Sequence, residues 1–322
     1  MHPLVVSQCE EFLFWLKQQM APLIPEEQRK VLLTRIEIVD QVVQDILPAE
    51  NLRAEEVVDM FKWKLDRDTT IWDLKAEDRC EVPIHLTTLL SEFDYVSSGQ
   101  KCPGLTKCRL NLILFACLAA EERYNSARLV EPFVAESSAR PHADEPTPPT
   151  LSTSSESALS RSATWIPVGA ETVRMGMEMD FTEVVDYNKR ARYLSGKADF
   201  VLWNGPVTEM GATLVVVSVG GELTARQGEG KCLALMSIIH NRKKNGGKKC
   251  TTVYGMCSDG VEFYFLRLDN DSKFSRSGAA LDWNWGMSSD IVSRIRYIMR
   301  TTLEATPTST PMKPEERGRK TE

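Results

Sequence analysis

The sequence predicts an α/β protein, with a mixed β-sheet flanked by helices in its C-terminal half and an all-α region before it. Three observations carry this reading. Apolar residues recur at helical spacing through residues 1–130. Residues 135–163 are rich in Ser, Pro and Thr and poor in large apolar side chains, so they cannot bury enough surface to offset chain entropy and read as a disordered linker. Beyond the linker the pattern runs strand, strand, helix, strand, strand. The expected division is a helical domain over 1–134, the linker over 135–163, an α/β domain over 164–305 and a flexible tail over 306–322.

Phe12, Leu13, Leu16, Met20 and Leu23 mark the first helix. Pro25-Glu26-Glu27 opens the second, with proline early and acids at the positive end of the helix dipole. A third helix is expected near Ala54–Leu65, a fourth over about Val82–Phe93 and a strongly apolar fifth over Cys108–Tyr124. Together these read as a small helical bundle. After the linker, Phe181–Lys189 reads as a short helix or turn and Tyr193–Trp203 as a strand. Thr213–Val219 is a continuous β-branched apolar run, the pattern of a strand buried on both faces. Gly228–Lys244 is a helix, and Thr251–Ser258 and Val261–Leu268 are strands joined by the hairpin signal Asp259-Gly260. Lys273–Ser275 adds a short strand and Ser288–Glu304 a closing helix.

The net charge of −6 argues against a dedicated duplex-binding protein, which is usually basic on at least one face. The eight cysteines form no CxxC pair, and the four histidines do not fall at zinc-ligand spacing, so the thiols read as reduced and buried. The N-terminus has no basic stretch followed by an apolar core, and no apolar run approaches the ~20 residues that span a bilayer. The expectation is an intracellular protein, cytoplasmic or nuclear, with no membrane partner.

Gly196-Lys197-Ala198-Asp199-Phe200 sits inside a strand, and Leu214-Val215-Val216-Val217 forms the next. The helix ending His240-Asn241-Arg242-Lys243-Lys244 follows, then Val253-Tyr254-Gly255-Met256 and Ser258-Asp259-Gly260-Val261-Glu262-Phe263. This ordered set resembles the PD-(D/E)XK nuclease family, in the form found in many fungal proteins and related to the domain of fungal spore-killer proteins. The resemblance covers roughly residues 165–303. It implies a restriction-endonuclease-like fold in which Asp199 takes the place of a divalent-metal ligand.

The chemistry of such a site needs carboxylates from adjacent strands to hold Mg²⁺ or Mn²⁺, and a lysine beside the attacking water. The family's second strand ends in Glu-x-Lys; here Ser218-Val219-Gly220 stands there, and a helix Gln frequent in relatives is Lys231. Asp199 alone survives of the core set. A hydroxyl does not replace a carboxylate at a hard-metal site, so the resemblance implies a vestigial site with at most weak Mg²⁺ or Mn²⁺ binding. Three readings follow. The first is an inactive nuclease-like domain acting through binding of a protein or nucleic acid. The second is an active DNA or RNA endonuclease with a migrated site built from Asp199, Glu222 or Glu229, and Lys231, with Glu183 as a further metal ligand. The third is an interaction protein whose helical half carries the function. Ser218→Glu with Gly220→Lys rebuilds the lost pattern, provided the backbone at 220 accepts a side chain.

Two other features are weighed on their residue types. Arg242, Lys243, Lys244, Lys248 and Lys249 flank Gly246-Gly247; they read either as a phosphate-contacting loop or as a helix C-terminus carrying the bases its dipole favours. Trp283 and Trp285 read as base-stacking side chains or as anchors of a loop on the core.

Overall fold

The computed structural model describes residues 11–98, 100, 102–137, 173–204, 212–220 and 224–304. Residues 138–163 of the expected linker, Trp165, Glu222 and the tail 306–322 lie outside these. Nine strands build one mixed sheet: β1 Ile46–Pro48, β2 Lys64–Leu65, β3 Val173–Tyr187, β4 Arg190–Asn204, β5 Leu214–Ser218, β6 Val253–Ser258, β7 Glu262–Leu268, β8 Lys273–Arg276 and β9 Leu281–Asp282. The α-helices named here are α1 Glu26–Gln44, α2 Ala54–Phe61, α3 Ile84–Ser97, α4 Pro103–Ser137, α5 Glu229–Asn245 and α6 Ser288–Glu304, and residues 11–15 are helical ahead of them.

The strand order is β1-β4-β5-β6-β7-β8-β2, with β3 beside β4 and β9 beside β7. β3, β4 and β5 are successively antiparallel. α5 then crosses over so that β6 runs parallel to β5, pairing Leu214 with Tyr254 and Ser218 with Ser258. The β6–β7 hairpin turns at Asp259-Gly260 as expected: Gly260 has φ +90°, and the Asp259 carboxylate accepts from the backbone N–H groups of Val261 and Glu262.

Residues 181–189 differ from the helix or turn expected of them. They form the end of β3 and its turn, in which Asn188 and Lys189 both have positive φ, 54° and 63°. Two consecutive left-handed residues suit the twist of a tight hairpin. The buried side chains Phe181 and Val185 are four residues apart, a spacing that fits both a helix and a strand, so only the partner strand decides. The expected third helix also stops short. Lys62 adopts left-handed φ 55°, which ends α2 and lets Lys64–Leu65 pair with β8.

The all-α reading of the N-terminal region holds only in part, because β1 and β2 belong to the main sheet. Helices α2, α3 and α4 pack on that sheet, while Leu13 and Ile36, from the first helical segment and α1, form a small cluster of their own. One core combines Leu47, Leu52, Val57 and Trp63 with Val215, Leu233 and Met236. The other combines Trp72, Leu86, Leu90 and Leu114 with Val216 and Ile295. Two glycines allow the close approach: a Cβ on Gly196 would lie 2.6 Å from the Ala49 Cβ, and one on Gly230 only 2.0 Å from the Leu52 carbonyl oxygen. Glu121 of α4, 2% exposed, holds ion pairs with Arg296 and Arg300 of α6. Over Pro103–Ser126, α4 is long and apolar enough by composition to cross a membrane, which the sequence reading had not anticipated. In this fold its Leu110, Ile113 and Leu114 lie in the second core, and its Arg109 and Glu121 are spent on ion pairs.

Candidate functional site

The site forms around Asp199, midway along β4. Residues two apart on a regular strand share a face, yet Ala198 faces the first core and Phe200 the second. The strand is therefore creased at Asp199. Opposite the crease, between the register pairs Met177–Phe200 and Met179–Ala198, lies Glu178 with left-handed φ 53°. A non-glycine residue in that region is uncommon and signals a locally constrained backbone.

Asp199 is 6% exposed, and each of its carboxylate oxygens has a partner. Oδ2 accepts from the backbone N–H of Ser218 at 2.8 Å. Oδ1 lies 2.7 Å from Nζ of Lys107 on α4. The same ammonium donates to Glu178 Oε1, and Glu178 Oε2 lies 3.5 Å from Lys197 Nζ. The result is a chain of alternating charges: Lys197, Glu178, Lys107, Asp199. Burial pulls the Lys107 ammonium toward losing its proton. The hydrogen bonds and charges of Asp199 and Glu178 more than offset this, leaving its pKa above the ordinary lysine value.

The first turns of α4 lie across the carboxyl ends of β5 and β6, the edge where open α/β sheets commonly bind ligands. Thr106 Oγ1 donates to the Asp259 carbonyl at 3.4 Å, and Arg109 Nε donates to the Gly260 carbonyl at 2.7 Å while its guanidinium pairs with Asp94. Pro103 packs so closely on Gly220 that a Cβ there would lie 2.6 Å from the Pro103 Cγ. The backbone at Gly220 is open to a side chain, but the space beside it is not, so replacing Gly220 by Lys does not simply rebuild the expected pattern.

These residues do not fit a divalent metal. Hard cations need several oxygen ligands in fixed geometry. Only Asp199 and Glu178 converge here, both already satisfied by Lys107, and among the described residues no group of three or more His, Cys, Asp or Glu comes together. Ser218 contributes its backbone N–H, a donor, where a metal ligand would have to supply an acceptor.

The other candidate residues have partners elsewhere. Glu183 pairs with Arg242 at 3.5 Å, and its register partner is Leu194, well down the hairpin from Asp199. Glu229 is buried and accepts from Arg276 Nε on β8 at 2.6 Å. Lys231 lies 3.4 Å from Glu50 Oε1. None of the three has a hydrogen bond or ion pair to Asp199, and Glu222 lies outside the described residues.

Most of the basic run closes the α5 C-terminus. Arg242 donates to the Thr182 carbonyl, Lys243 Nζ to the Thr252 carbonyl at 2.9 Å, and Lys244 Nζ to Ser272 Oγ. Burial lowers the Lys243 pKa to about 8. Lys249 is exposed, and Lys248 sits in the turn after Gly247. Trp283 packs on Phe263 with ring centres 6.1 Å apart, whereas Trp285 is 82% exposed.

Sequence reasoning missed Lys107, Glu178 and Pro103. Glu178 left a trace, since Met177, Glu178, Met179 and Asp180 alternate apolar and polar at strand period. Lys107 left none: it precedes the expected start of its helix by one residue, and no spacing links it to Asp199. Comparison of the sequence with protein-family models and with curated proteins finds no match.

Proposed function

We propose that this chain is a catalytically silent relative of the PD-(D/E)XK nucleases, with its own Lys107 ammonium standing where the family holds a metal, and that it acts by binding a protein or nucleic acid. The contact of Lys107 Nζ with Asp199 Oδ1 at 2.7 Å carries this reading. A lysine supplies one positive charge and three donors, which satisfies the two acids electrostatically. It offers no open coordination position at which a water is activated, and that is the chemistry the metal provides in such nucleases. The antiparallel β3-β4-β5 order, the α5 crossover to a parallel β6, and an acid on the middle strand beside the end of β5 support the kinship.

The test is a cleavage assay on DNA and RNA with Mg²⁺ and Mn²⁺, beside a thermal scan of the full chain with and without Mn²⁺. Wild type shows neither cleavage nor a Mn²⁺-dependent shift. Lys107→Met leaves Asp199 and Glu178 facing one another without their cation, and Mn²⁺ then stabilises the variant, by about 1.4 kcal/mol at ten times its Kd. Robust wild-type cleavage that is lost in Asp199→Ala overturns the reading.

A further inference from the structure

Helix α1 and the helical segment ahead of it bury little against each other. Among the described residues their common cluster buries only Leu13 and Ile36, with Leu16, Leu32 and Ile46 partly buried beside them. So few contacts do little to offset the entropy of ordering two helices. The same helices expose large apolar side chains: Phe12, Phe14 and Trp15 on the first, Val31, Ile38 and Val39 on α1. A helix that is apolar on two sides calls for a second neighbour.

The charges on the outer side of α1 decide what that neighbour is. Residues four and seven apart share a helix face, so Glu27, Val31, Arg35 and Ile38 form one stripe. Ile36, 3% exposed, faces away from it toward Leu13. Val31 and Ile38 are 54% and 59% exposed. Glu27 and Arg35 are exposed as well, and neither has an ion-pair partner among the described residues, whereas Glu26 next to them pairs with Arg29 at 3.2 Å. An acid, an apolar residue and a base spaced by four are self-complementary when two such helices meet antiparallel about a two-fold axis at the middle one. Val31 of one copy then meets Val31 of the other, and each Glu27 faces the other copy's Arg35. The same axis carries Ile38 and Val39 of one copy toward the start of α1 in the other, where Leu23 is 77% exposed. A parallel pair sets Glu27 against Glu27 and Arg35 against Arg35, which repel. A lipid surface does not fit, because the stripe would take both charges into hydrocarbon.

We propose that two copies of this chain associate through α1, antiparallel about Val31, with two Glu27–Arg35 pairs flanking the apolar contact. The apolar stripe supplies the attraction, and the charges fix direction and register. This surface is independent of the nuclease-like reading, since it shares no residue with the Asp199 cluster.

Sedimentation velocity of the full chain across the micromolar range tests the proposal. Wild type is expected to pass from monomer to dimer as its concentration rises. Glu27→Arg and Arg35→Glu, each alone, turn two attractions into two repulsions and raise the dissociation constant about tenfold or more. Glu27→Arg combined with Arg35→Glu exchanges the signs, restores both pairs and returns the constant to near the wild-type value. Should a reversal variant fail to fold, judged by circular dichroism, Val31→Asp decides: it sets two like charges at the axis and is expected to abolish the dimer. A wild type that stays monomeric throughout, single reversals that leave the constant unchanged, a folded double reversal that does not restore it, or an unchanged dimer in Val31→Asp each overturns the proposal.

Discussion

Two glycines show how differently one residue type is used in this chain. Gly230 lies in the first turn of α5 against the Leu52 carbonyl, where an added Cβ has 2.0 Å of space. Gly104 lies in the first turn of α4 with nothing within 4 Å of the same atom. Gly230→Ala therefore forces α5 and the 46–54 segment apart and costs about 1–3 kcal/mol. Gly104→Ala meets no obstacle, narrows the unfolded ensemble and stabilises by up to about 1 kcal/mol. Urea unfolding of the two variants beside wild type checks both signs. Equal effects would mean that residues 46–54 are not seated on α5.

The end of α5 is organised by a buried histidine. His240 is fully buried; its Nδ1 lies 2.7 Å from the Thr251 carbonyl, Nε2 faces Ser272 Oγ, and its ring meets Trp63 edge-on with centres 5.1 Å apart. Burial holds its pKa below the ordinary histidine value, with the charges of Lys244 and Lys243 adding to the effect while the Thr251 carbonyl and Asp269 oppose it. The folded state thus prefers the neutral ring, with its proton on Nδ1 donated to Thr251. A group whose folded pKa is depressed contributes stability above its unfolded pKa and loses it as pH falls. Stability should accordingly decline below about pH 6.5, by no more than about 1.4 kcal/mol per pH unit from this one group. His240→Asn should lower stability at pH 7.5 and flatten the slope between pH 7 and 5. Denaturant midpoints across that range read both effects, and an unchanged slope would assign the acid sensitivity to other groups.

Across the whole molecule, residues before 138 and after 172 share both cores, two strand pairings and the Glu121 ion pairs. Protease cleavage between Glu136 and Arg161 should therefore give two fragments that remain together under native conditions and part only in denaturant. Size-exclusion chromatography of the nicked protein, followed by denaturing gel, decides this. Fragments that elute separately and folded would restore the picture of independent domains. The reason for association is exposure: separating the halves would bare Trp63, Trp72, Leu86 and Leu114, along with the sheet faces they cover.

Sequence alone determined the elements whose signals are local. The β-branched run 213–219, the Asp259-Gly260 turn and the bounds of α6 were all legible, because periodicity and turn chemistry act within a few residues. Asp199 was a candidate only through the resemblance of Gly196-Lys197-Ala198-Asp199-Phe200 to a nuclease motif. Tertiary structure decided the rest. The spacing of Phe181 and Val185 suited helix and strand alike until β4 paired with them. The helical stripes of α3 and α4 did not say whether they would cover one another or the sheet. The cation on Asp199 could not be read at all, since Lys107 and Glu178 meet across 71 residues of chain and a long-range ion pair leaves no periodic trace. Only the packing of α4 across the ends of β5 and β6 places an ammonium beside Asp199 and a proline against Gly220.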